Sequence, residues 1–412
     1  MKTIAMSLLA LIVLLPMAQP VAAKEPVIQA WSDLLFTVEE SPVEDVNLLR
    51  LLAGMHLSMY YAGATLDPRY DLGTELPRAD ATADEAAMAA GRVYLSRYLD
   101  LDASALAPIE GYAARDDLQA LANASAELAF DTVTATRGER SHYRPFVVPG
   151  RYVPTRIPGD TRTSNLPHFA YGHQLATQIP PPPGPDSAAY ADSYNETQIL
   201  GADDSTARTE DQAKASMIFD LQDPYPMIFR IMARRDLSIF EQARIMAIYD
   251  LGSEDMTAAQ FAGKLHFQSW RPITAIRNGD IDGRADTELQ ADWTPLLETP
   301  NSSEYPCGHC TFVSGTAGIL EVLLPLEDGE QVVILADDIF TTENNRGYDG
   351  DLVAYIEGHQ MTFDAYDAFA EAGALSRIHN GAHFRFSTEA GLRLGRAVAA
   401  ATIQVWDGLP DE

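Results

Sequence analysis

The chain has 412 residues, with 29 lysines and arginines against 59 aspartates and glutamates, a formal net charge of −30. So acidic a surface repels nucleic acid and anionic membrane and excludes both as partners; an anionic ligand must be held by a local basic cluster set against the global field. The two cysteines, Cys307 and Cys310, are too few for a disulfide-stapled scaffold.

Lys2 precedes an apolar run from Ile4 to Met17, and Val21-Ala22-Ala23 places small residues at a cleavage position. That pattern predicts a signal peptide over residues 1–23, because the run is too short for a comfortable membrane span. The mature chain, roughly 389 residues, is then periplasmic or secreted, is not inserted in a membrane, and is long enough for a substantial core.

Residues 24–142 read as an N-terminal helical region. Val43 to Leu66, Ala81 to Tyr98 and Asp116 to Thr132 carry apolar residues at helical spacing. Between 143 and 187 prolines recur, periodicity is lost, and the segment reads as a connector or a loop packed over the surface. Residues 188–412 regain helical texture. Helices are predicted over Arg208 to Phe219, Leu237 to Gly252, Thr257 to Trp270, Thr311 to Leu324 and Thr362 to Ala374. A last helix runs from Thr388 to Trp406, with Ser387 as its cap. The Val/Ile run Gln331 to Leu335 stands isolated and no βα alternation appears. The fold class is all-α.

Three clusters in this C-terminal region carry chemistry. Lys264 and Arg271 stand seven apart; on one helix that separation is two turns, roughly 10 Å of rise, so both cations reach one anion, and Pro272 marks the helix end. Tyr305-Pro306-Cys307-Gly308-His309-Cys310 runs into the apolar helix predicted from Thr311. A turn at a helix N-terminus aims backbone N–H groups and the positive dipole end at one point, and His309 there is placed for proton transfer. Arg377 and His383 flank Ile378-His379-Asn380-Gly381-Ala382; Arg377 offers a planar fork for two anion oxygens, and Gly381 permits close backbone approach.

Taken in order, the K-x6-RP, P-x-GH and SR-x5-H patterns resemble the three-part signature of the vanadium-dependent haloperoxidases and the type 2 phosphatidic acid phosphatase superfamily, and most closely its exported bacterial haloperoxidase-like branch. The resemblance implies a helical bundle around a bound oxyanion. Lys264, Arg271 and Arg377 would neutralise the equatorial oxygens, with Cys307 and Gly308 as further oxyanion contacts. His309 would be the acid/base, and His383 the axial ligand of vanadate. Catalysis falls to His309, His383 and Lys264, the cofactor is vanadate, and the partners are hydrogen peroxide and halide. The same cage serves an acid phosphatase, with a phosphate ester as substrate and His383 forming a phosphohistidine. A homo-oligomer is left open.

The chain departs from the family pattern twice. Cys307 stands where serine is usual, and a thiol is the weaker donor; a disulfide with Cys310 would delete that donor. Ser387 stands where an aspartate often orients the ligating histidine, so a serine, a backbone carbonyl or Glu389 must take its place. Ser302, at a position associated with halide choice, does not name the halide. Two further readings remain. Cys307-Gly-His-Cys310 is spelled like the site of a thiol-disulfide oxidoreductase, although no βαβ pattern surrounds it. A non-catalytic oxyanion-binding protein is the other.

Overall fold

A computed structural model describes residues 26–408 apart from 36–37, 39–41, 43–45, 47, 100, 102–105, 107–108, 110–115, 136–147, 155–167, 171–174, 177, 222 and 342–353. The expected signal peptide lies outside the described residues. The N-terminal region forms α1 (Val27–Leu35), α2 (Leu48–Leu66), α3 (Ala83–Tyr98) and α4 (Gln119–Thr134). α2 is buried continuously from Arg50 to Ala64, being packed between α3 and α4 and a long helix of the C-terminal region. α3 opens on a capping box, Thr82 with Glu85, which satisfies two backbone N–H groups the helix leaves free.

The C-terminal region forms α5 (Ala188–Leu200), α6 (Glu210–Leu221), α7 (Tyr225–Met232), α8 (Ile239–Phe267), α9 (Pro272–Ile276), α10 (Gly308–Leu323), α11 (Tyr366–His379) and α12 (Arg385–Trp406). The sequence predicts two helices where α8 is one. Its polar middle does not break it, because tertiary partners satisfy the acids. Glu254 meets Arg50 at 2.7 Å, and Asp255 accepts the backbone N–H groups of Phe169 and Ala170, each at 2.7 Å.

The isolated Val/Ile run also finds a partner. β1 (Val332–Leu335) pairs antiparallel with β2 (Gln360–Phe363), Val332 opposite Phe363. The helix predicted over Thr362 to Ala374 therefore starts only at Tyr366, and it runs on to His379, which brings Arg377 onto its last turn. The last helix, by contrast, begins early, at Arg385 with Phe384 as N-cap, so Ser387 is inside its first turn rather than a cap.

α8, α10, α11 and α12 pack as a bundle, with α10 and α12 in closest contact. Gly395 allows that approach: a Cβ there would lie 2.2 Å from the Thr311 carbonyl oxygen. One hydrophobic cluster runs from Ile28 to Ala399 and joins the two helical regions. Part of the connector is tied to the same body, since Tyr152 N–H donates to Gln268 O and Trp270 N–H to Gly150 O. Among the described residues no helix is long and apolar enough to cross a membrane.

Candidate functional site

Lys264 occupies the last turn of α8. Gln268 ends the helix in the left-handed conformation, φ 50°, and its N–H returns to Lys264 O at 3.0 Å. Arg271 follows with extended backbone, because a proline keeps the residue before it out of the helical region, and Pro272 takes the first position of α9. The expectation of one helix carrying both cations and ending at Pro272 is thus corrected: Pro272 begins a helix, and a chain reversal separates the cations. They converge all the same. Lys264 Nζ donates to Ser303 O (2.7 Å) and Glu304 O (3.2 Å), while Arg271 donates to Ser302 O (2.8 Å), Ser302 Oγ (3.1 Å) and Ala382 O (2.9 Å).

Cys307 is the N-cap of α10 and its Sγ accepts the N–H of Cys310 at 3.2 Å. The two cysteines form a disulfide with Cα atoms 5.4 Å apart. Cys307, a candidate oxyanion contact from the sequence, therefore has no S–H to donate. Both cysteines are fully buried and packed against Ala374 and Leu392, so no exchange partner can approach them. Gly308 and His309 open the helix, where the dipole and the unpaired N–H groups favour negative charge.

Arg377 reaches from the end of α11 to the Asp220 carboxylate, which closes α6. His309 Nε2 lies 3.4 Å from Asp220 O and 3.9 Å from its carboxylate. Gly381 turns the chain between Arg377 and His383 with φ 79°, close against Gly201. His383 is 1% exposed and its Nδ1 lies 3.0 Å from Glu304 Oε1, which also accepts the Phe384 N–H at 3.0 Å. A carboxylate acceptor assigns the proton to Nδ1 and leaves the lone pair on Nε2, which faces Arg271 Nη1 at 3.0 Å. Glu304 is thus the group that orients the imidazole. Ser387 contributes a long contact at 3.4 Å.

Three cations, Lys264, Arg271 and Arg377, confront two carboxylates, Asp220 and Glu304. The titration shifts follow first from burial and then from this excess. Burial, then Arg271, draws the Lys264 ammonium well below the usual lysine range, and burial brings Arg271 down to about 10. Burial and then Arg271 hold His383 well below an ordinary histidine. His309, whose side chain is 41% exposed, is lowered to about 4 by desolvation and then by Arg377, against the pull of Asp220. The adjoining guanidinium keeps the ring neutral at pH 7. Burial pushes Glu304 up to about 7, opposed first by Arg271. Burial would raise Asp220 as well, but Arg377 and His309 keep it below the ordinary carboxylate range.

Lys264, Arg271, Gly308, His309 and His383 line one cavity of about 510 Å³, which continues past Phe261, Phe312 and Phe369 to Asp223, Tyr225 and Asp250. Arg377 is 1% exposed, and its Nε is a buried donor without an acceptor among the described residues. A surplus of N–H donors, a helix N-terminus and one imidazole lone pair suit a tetrahedral oxyanion such as vanadate or phosphate. Glu304 and Asp220 escaped the sequence reading. Glu304 had a signal, adjacency to the Tyr305-Pro306 turn; Asp220 lies 157 positions from Arg377 and had none.

Residues 244–411 match the family described as VCPO second helical-bundle domain. A bacterial vanadium-dependent iodoperoxidase superposes with a TM-score of 0.63 at 19% identity, over 96% of this chain and 99% of its own. Bacterial vanadium-dependent chloroperoxidase superposes with a TM-score of 0.65 in both its apo form (13% identity, 95% of this chain and 96% of that one) and its holo form (16%, 95% and 94%). No curated protein sequence matches the chain. The all-α bundle expected from the sequence is the fold of these proteins.

Proposed function

We propose that this chain, whose C-terminal part is a second helical bundle of the vanadium haloperoxidase superfamily, is a peroxidase that holds vanadate on His383 and oxidises halide with hydrogen peroxide. The observation that carries the reading is the cage itself. Two cations from either side of a chain reversal, the N-terminus of α10 and a fixed imidazole lone pair share one pocket, and Arg377 stands behind it, paired with Asp220 next to His309.

The chain's own groups have definite work in this reaction. Lys264, Arg271 and Arg377 neutralise the anion, and the Gly308 N–H adds a donor free of any proton equilibrium. Glu304 keeps the Nδ1 proton in place, so that His383 Nε2 has the lone pair that would hold vanadate, and Arg271 Nη1 beside it would donate to the anion. Bound vanadate would supply the Lewis-acid centre at which peroxide becomes electrophilic toward halide. His309, neutral at pH 7, can take the proton of incoming peroxide and return it to the departing oxygen. Lys264 stands ready to polarise the peroxide bond. Halide, peroxide and one proton give hypohalous acid and water, so two electrons pass from halide to the peroxide oxygens. Export to the periplasm or medium, as residues 1–23 suggest, would place the product outside the cell.

The test is halogenation of a phenol indicator with bromide and hydrogen peroxide after vanadate reconstitution, beside hydrolysis of a generic phosphate ester at neutral pH. Vanadate-dependent halogenation supports the reading. Phosphate-ester turnover that vanadate inhibits, without halogenation, overturns it in favour of a phosphatase using the same cage.

A further inference from the structure

The cage lacks one donor. The family resemblance implies a hydroxyl donor at the N-cap of α10, and the disulfide at Cys307 leaves no proton there. Gln260 stands beside the gap. It lies one turn before Lys264 on α8, and residues four apart on a helix share a face. It is 7% exposed and lines the same cavity as Lys264, Arg271, Gly308, His309 and His383. Among the described residues its amide has no hydrogen-bond partner.

Its side chain opens on that cavity rather than being sealed in the core, so a bound anion can reach it. The fold also makes room for it. A Cβ at Gly308 would lie 1.8 Å from Gln260 Oε1 and 3.4 Å from Nε2, so the amide spans the first residue of α10 only because that residue is glycine. Gly308 thus serves twice, offering its own N–H and admitting a side-chain amide across the helix start.

We propose that Gln260 is an oxyanion ligand of this site, its NH2 group donating to the bound anion in place of the hydroxyl that Cys307 cannot supply. The proposal rests on the oxyanion reading of the cavity. Oε1 is the amide atom nearer Gly308 and Nε2 the farther one, and the side chain shares the Lys264 face of α8 and the same cavity. A charge-assisted hydrogen bond there is worth about 1.5–3 kcal/mol, which converts to a tenfold to hundredfold change in affinity.

The experiment is calorimetric titration of the purified full chain with orthovanadate and, separately, inorganic phosphate. Gln260→Met keeps the volume and removes the donor; Gln260→Glu keeps the shape and adds repulsion. The expected result is at least tenfold weaker binding of both anions to Gln260→Met, with an unchanged melting temperature, and a still larger loss in Gln260→Glu. Affinities within twofold of the native chain in either folded variant overturn the proposal while leaving the oxyanion site standing. A native chain that binds neither anion overturns both. A third variant, Gln260→Met with Cys307→Ser and Cys310→Ser, restores a hydroxyl at the cap and is expected to recover at least half of the lost binding free energy. Failure of that recovery in a folded protein refutes the substitution of one donor for the other.

Discussion

Two buried charged clusters lie along the same helix, α8, and they are built on opposite plans. In its middle, Glu254 pairs with Arg50, which also donates to Val133 O at 2.8 Å. Asp250 meets both His56 Nδ1 (2.5 Å) and the Tyr225 hydroxyl (2.6 Å), and Asp255 takes two backbone N–H groups. There acids and donors balance. At the C-terminal end Lys264 joins Arg271 and Arg377 against two carboxylates, and Arg377 Nε is a buried donor without a partner among the described residues. The balanced cluster holds helices together. The unbalanced one leaves hydrogen-bonding capacity unmet, the donor Arg377 Nε among it, which an anion from outside can use.

The contrast breaks if the middle cluster proves dispensable. Arg50→Met strands the Glu254 carboxylate in the core and is expected to cost about 3–5 kcal/mol in denaturant unfolding, with vanadate affinity unchanged within twofold. Arg50→Met with Glu254→Leu should recover most of that stability. At the other end the signs reverse. Arg377→Met should weaken vanadate binding by about a hundredfold, or roughly 2.7 kcal/mol, yet cost less stability in the unliganded protein than Arg50→Met, because the Asp220 carboxylate it leaves unpaired is 29% exposed and can be hydrated, whereas Glu254 is 7% exposed. A large loss of unliganded stability in Arg377→Met would place both clusters in one class.

A smaller effect sharpens the comparison through pH. Glu304 holds its proton more tightly when folded, at about 7 against 4.5 for an ordinary glutamate, so its ionisation removes stability as pH rises from about 4.5 to about 7. His309 acts in the opposite sense: lowered to about 4 from 6.5, it adds stability as pH rises through that window and loses it on acidification. Glu304→Gln, whose amide oxygen can still accept from His383, should therefore gain a few degrees in melting temperature over native between pH 4.5 and 7, and no more above it. A constant difference across that range would show that Glu304 is ionised throughout.

Much of this was legible in the sequence, for identifiable reasons. Helical periodicity reports burial of one face, so α2, α3 and α12 were visible within a few residues of their ends. The cage residues were visible because each motif is local: Gly308 and His309 sit on one turn, and Arg377 and His383 flank another. What the sequence hid depends on tertiary partners. α8 reads as two helices unless Arg50 is known to face Glu254. The hairpin of β1 and β2 needs its distant mate. Ser387 looks like a cap, although the helix starts before it and Glu304 supplies the carboxylate. Asp220 is one acid among 59 until α6 and α11 are packed together.

The most direct test of the shared anion site is a crystal soaked in tungstate, a tetrahedral oxyanion with strong anomalous scattering. One anomalous peak per chain is predicted, beside His383 Nε2 and facing His309, with Arg271 Nη1 moved from the imidazole to an anion oxygen. A crystal of the folded chain with no peak in that cavity, or with tungstate bound only elsewhere, would contradict the account.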